Sequence, residues 1–246
     1  MKNRIPFDEA LLVLQDRDTF FQKINDQDFK PNLIWAQVLM LMLFSFIYGM
    51  IMGSYNSLLQ AMVTGTKLWL LILITLLICF PSFYIVQLVL GSRVAIRQLV
   101  IIILSGFVMT TTVMLAFAPI VMFFQLSGDN YNFLQLLHVF VLVFSGFFGM
   151  KAVVQALTSA FESANVYPKL GVISFRVWVL IFAFVGMQLA WNMRPFVGSR
   201  ELPFELFRES TRGNVYATLL GSFGELMGVQ KKPPKEEKNL LTPRKK

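Results

Sequence analysis

Carboxylates are missing from every long apolar run of this chain. Five such runs occur, over residues 33–52, 68–90, 99–124, 133–154 and 172–191, and none contains Asp or Glu. The whole sequence has one histidine, His138, and one cysteine, Cys79. A metal site needs several converging His, Cys or carboxylate ligands, so this scarcity argues against one, and no cofactor is expected. Ser-His-Asp or Cys-His catalysis would have to use His138, with Asp129 nearby in sequence. The plainer reading of His138 is a hydrogen-bonded helix contact, and the chain is read as non-enzymatic. Proton relays across membranes use buried acids, and the runs offer none. A lone cysteine cannot close an intramolecular disulfide, so Cys79 says nothing about an oxidising compartment. No glycine-rich phosphate loop and no nucleic-acid motif is present. Charge itself is sparse: 15% of residues, against about 25% in an average soluble domain.

What the chain has in abundance is oily surface, with 25 Phe and 13 Met among 246 residues. The run from Leu68 to Leu90 carries no ionisable acid or base and exceeds the 18 or more residues that cross a bilayer as a helix. The pattern predicts an all-α fold: a polytopic transmembrane bundle of about five spans with amphipathic helices at both termini. Residues 1–32 form an N-terminal segment, 33–192 the bundle, 193–228 an interfacial or re-entrant segment, and 229–246 a charged, proline-containing tail expected to be disordered. No signal peptide is read in the first 30 residues, so insertion is expected to begin with the first span.

In chain order, Phe7, Leu11, Leu14, Phe21 and Ile24 recur at helical spacing after Pro6 and predict one amphipathic helix, with Asp18 interrupting its apolar stripe. It is read as packed on the membrane or bundle, or as a docking helix. Trp35 marks the interface at the start of the first span. Gly49 and Gly53, then Ser145 and Gly149, are small-residue positions that let helices approach closely. Ser54 to Lys67 is read as a polar-to-mixed connector, and Gln155 to Gly171 as another. Pro81 is expected to kink the second span, and Pro119 to bend or end the third. The hydroxyls of Thr110, Thr111 and Thr112 can bond back to the helix or to a neighbour. Residues 215–227 carry an apolar face on a helix too short to cross.

Cations decide orientation and the candidate contacts. Lys151 and Arg176 fall at the end of the fourth run and the start of the fifth. Long cationic side chains snorkel to headgroups there; the sharper reading pairs them as an anion site with Glu162 as counter-charge. Trp191 ends the fifth run and Arg194 and Arg208 follow it, where aromatic rings sit at headgroup depth and arginines on phosphates. That cluster is read as an interfacial belt or a protein-docking surface. Lys and Arg near span ends favour a cytoplasmic N-terminus, although five crossings then send the basic C-terminal tail to the opposite side. The net charge of +8 is assigned to anionic headgroups and topology, not to nucleic acid.

Two stretches carry a resemblance. TLLICFPSFY followed by GSR, Thr75 to Arg93, resembles the proline-interrupted second span of Yip1-type membrane proteins, which implies five spans and no established catalysis. WNMRPFVGS followed by PFELFRE, from Trp191, resembles a tail of uncharacterised bacterial polytopic inner-membrane proteins. Together they span 38 of the 246 residues. The expected function is a scaffold, anchor or subunit of a membrane complex, bound to a protein partner or a second copy. The alternative is a small-solute or ion transporter or channel working as an oligomer.

Overall fold

The computed structural model describes residues 6–91, 94–128, 130–163, 168–198, 204, 206 and 207. These residues are all-helical, without strands. Two short helices come first, α1 (Phe7–Gln15) and α2 (Arg17–Asn25). Six more follow: α3 (Leu33–Gly53), α4 (Leu58–Val89), α5 (Ile96–Ala116), α6 (Ala118–Ser127), α7 (Tyr131–Ser163) and α8 (Pro168–Met193). Five stretches are long and apolar enough to cross a membrane, with α5 and α6 counting as one. The chain is an integral membrane protein.

The N-terminal helix expected over Phe7 to Ile24 is two helices. Asp16 breaks it, with φ −142° and ψ 88°, and its carboxylate accepts from the Thr19 backbone N–H at 3.2 Å and the Thr19 hydroxyl at 2.6 Å. An N-terminal cap of this kind starts a new helix rather than continuing an old one. The Thr19 hydroxyl, then its backbone N–H, holds the Asp16 carboxyl below its ordinary value of 3.8.

The break lets both short helices bury a face. Phe20, Phe21 and Ile24 of α2, with Ala10 and Val13 of α1, join the same core as Ile101–Ile103 and Ala156–Leu157. Two cross-links fasten the layer: Asn25 donates to Ser159 at 2.7 Å, and Gln98 donates to Asn25 at 3.3 Å. The pair is therefore built into one end of the bundle, called here the near end.

The five crossings close a ring. α3 packs on α4 and α5, α4 on α8, α8 on α7, and α7 on α5. Aromatic side chains fill part of its inside: Phe83, Phe175, Trp178, Phe182 and Phe107 form a chain of ring contacts at 5.1–5.8 Å. The Trp178 indole N–H donates to the Cys79 carbonyl at 2.8 Å, two residues before Pro81. α4 runs on through that proline. The break in the third run falls at Phe117, and Pro119 occupies the first turn of α6, where its missing N–H costs no helical bond.

Two connectors read from polarity are helix. The expected loop over Ser54 to Lys67 shrinks to a short turn, because α4 begins at Leu58. Gln60, Thr64 and Lys67, which made that stretch look polar, point inward and are buried, whereas Leu58, Leu59 and Met62 face out. α7 likewise continues to Ser163, through much of the expected connector from Gln155. Gln155 and Ser159 of this extension hold α2, Gln155 by donating to Asp18 at 3.2 Å.

Candidate functional site

The far end of the ring holds an unusual arrangement. After α8 ends at Met193, residues 194–198 leave helical conformation and fold back onto the first turns of α4. Pro195, Val197 and Gly198 are buried. Buried irregular backbone persists where other protein groups satisfy its polar atoms. Here one face of α4 does so. Gln60 donates to the Pro195 carbonyl at 3.2 Å, and Thr64 donates to the Phe196 carbonyl at 2.7 Å. Lys67 donates to the Pro195 carbonyl at 3.3 Å and also to the Leu206 carbonyl. Positions 60, 64 and 67 are spaced four and three, so they share one side of the helix.

Lys67 is the chief anomaly. It lies within a spanning helix with 4% of its surface exposed. Its ammonium sits 4.9 Å from the centre of the Phe207 ring, and its hydrogen-bond acceptors among the described residues are main-chain carbonyls. No carboxylate pairs with it among the described residues. Val197 and Phe196 extend this contact into a second core that contains Tyr48, Met52, Tyr55, Leu134 and Val141. Within that core the Tyr48 hydroxyl and His138 Nδ1 are 3.0 Å apart, so the expected role of His138 as a helix contact describes its geometry. Gln125 of α6 donates to the Ile51 carbonyl at 2.9 Å and ties α6 to α3.

The small residues lie at helix crossings. A Cβ on Gly49 would lie 2.8 Å from the Gly65 Cα, and one on Gly53 would lie 2.8 Å from the Ala61 Cα. One on Gly149 would lie 2.5 Å from the Gly106 carbonyl oxygen. Ser145 is fully buried with its hydroxyl unpartnered. Gly49 and Gly53 thus set the α3–α4 approach that brings Gln60 and Thr64 to the far end, and Gly149 sets α5 against α7.

The cationic candidates do not form one site. Lys151 and Arg176 are both exposed, near the end that carries α1 and α2, with no ion pair among the described residues. Glu162 stands eleven residues beyond Lys151 on α7, about 16 Å at 1.5 Å per residue, too far to pair with that lysine. Arg194 lies over the Trp191 ring, 3.5 Å from its centre, which joins two of the expected belt residues by a cation–π contact. Arg208, the apolar helix expected over 215–227 and the charged tail 229–246 fall outside the described residues.

Sequence reasoning passed over Lys67 as one more cation at a loop end. The signal was there: a cation that follows Gln60 and Thr64 at helical spacing, in an otherwise oily segment.

Among the described residues no group of His, Cys, Asp and Glu is arranged to hold a metal ion. No family model matches the sequence, and no curated protein or solved structure resembles it at a significant level.

Proposed function

We propose that this protein is a non-catalytic membrane component that works by assembly, as a scaffold, anchor or subunit of a complex. The observation that supports this most directly is the mounting of α1 and α2. A helix pair that only rested on lipid would need no polar ties to the bundle. This pair has Asn25–Ser159, Gln98–Asn25 and a shared apolar core. The pair also frames a cleft of about 450 Å³ lined by Asp8, Glu9, Gln15, Lys23, Asp28 and Lys30, with Leu12 and Phe29. A rigid, charged layer fixed to a membrane anchor suits a protein partner.

The reading places this layer in the cytoplasm, and the tail resemblance suggests a bacterial inner membrane. Among the described residues Lys30, Arg97, Lys151 and Arg176 are exposed at the near end, whereas at the far end Lys67 is buried and Arg194 half-buried. Lys and Arg concentrate on the cytoplasmic side. Copurification under mild detergent tests the assembly: a stoichiometric partner, or a stable homo-oligomer, lost when residues on the outer face of α1 are changed, supports it. A strictly monomeric species with no partner overturns it. Protease access to tags at the two ends tests the orientation.

Transport by an oligomer is the second reading, and one observation favours it. Three buried polar atoms in α3 and α7 have no hydrogen-bond partner among the described residues: Gln37 Oε1, His138 Nε2 and Ser145 Oγ. Solute or ion flux in liposomes containing the purified protein alone, abolished by His138→Phe, would move the assignment to transport.

A further inference from the structure

Among the described residues the Lys67 ammonium donates to two neutral oxygen atoms, and no carboxylate there compensates its charge. Pro195 and Leu206 supply neutral carbonyls, and Phe207 supplies a ring face. Burying a cation without an anion is costly in a membrane. The shell is also uneven. The Pro195 carbonyl belongs to a buried residue held by Gln60, and its neighbour Phe196 is held by Thr64. Leu206 and Phe207, by contrast, are about half exposed. The ammonium thus has a fixed inner partner and an outer partner open to the surroundings, at the end of the bundle where Arg194 and Trp191 also lie.

We infer that Lys67 is the centre of an oxyanion site. A phosphate oxygen, from an anionic lipid headgroup or from free phosphate, takes the place of the Leu206 carbonyl, with the Pro195 carbonyl retained on the inner side. A phosphate replaces a neutral acceptor by an anionic one, which turns the hydrogen bond into an ion pair and compensates the buried charge. Gln60 and Thr64 are positioning residues that keep the inner wall in place. Phe207 covers the site and competes with the ligand. The inference is independent of the assembly reading, since it concerns the opposite end of the ring.

The test uses the full-length protein purified in detergent. Phosphatidylglycerol, phosphatidylcholine and inorganic phosphate are the three probes. Lipid retention is read by native mass spectrometry, and phosphate binding by the shift in melting temperature. Wild type retains phosphatidylglycerol over phosphatidylcholine, Lys67→Gln weakens that retention about tenfold, and Phe207→Ala strengthens it. A melting shift with phosphate that Lys67→Gln removes, without lipid preference, identifies the free ion as the ligand. Should Lys67→Gln not fold, the exposed Phe207→Ala change still decides. The inference falls if wild type shows neither response, if Lys67→Gln responds as wild type does, or if Phe207→Ala leaves both responses unchanged.

Discussion

The Tyr48 hydroxyl and His138 Nδ1 stand 3.0 Å apart, with their rings edge to face and centroids 5.8 Å apart. The pair joins α3 to α7 in the core that also holds Met114 of α5 and Val121 of α6. A hydrogen bond of this kind in a membrane bundle contributes about 0.6–2 kcal/mol. Tyr48→Phe should therefore lower stability by about that amount, because it leaves His138 with a buried ring nitrogen unpaired. Tyr48→Phe combined with His138→Leu should recover part of the loss. Unfolding free energies in mixed micelles check both; a double variant weaker than the sum of the single ones would remove the pair as a structural tie.

Gly49 and Gly53 are tested by size. Alanine or valine at either position meets the α4 backbone, with the Gly65 and Ala61 Cα atoms 2.8 Å from the added carbon. Overpacking of this sort costs about 1–3 kcal/mol, so Gly49→Val should melt earlier or fail to accumulate in membranes. Gly146 has nothing within 4 Å of an added Cβ, and Gly146→Ala should leave the melting temperature unchanged. Equal effects at the two positions would contradict the packing.

The N-terminal helix pair makes a contrast between two phenylalanines. Phe20 is 1% exposed and Phe7 is 42% exposed. A pair embedded in the bundle predicts that Phe20→Ala costs about 3–5 kcal/mol and that Phe7→Ala costs far less. A pair lying on lipid predicts similar, small effects. Thermal unfolding of the two variants in one detergent separates these cases.

Acid should loosen the junction of α1 and α2. The folded Asp16 carboxyl titrates below its ordinary value because Thr19 donates to it. For a depressed carboxylate, the stabilisation is present above the unfolded value and is lost as pH falls through the lower folded value. Amide exchange at Thr19, corrected for its intrinsic pH dependence, should gain relative speed as pH drops below about 4. Asp16→Asn should remove that dependence.

The oily runs alone determined the fold class, the number of crossings and the absence of acids from them. Composition suffices there because a bilayer imposes a length and a polarity on any helix that crosses it. Helix ends were harder. Gln60, Thr64 and Lys67 made an extended spanning helix look like a loop, since polarity in sequence does not reveal whether a residue faces water or a buried carbonyl. Gln155 and Ser159 misled in the same way, because their partners Asp18 and Asn25 lie more than 130 positions away. Gly49, Gly53 and Gly149 were visible as small residues, but only the packed helices show which backbone each one meets. The Lys67 shell was likewise decided by tertiary structure alone: its acceptors come from a segment about 130 residues downstream, and nothing local in the sequence pairs them.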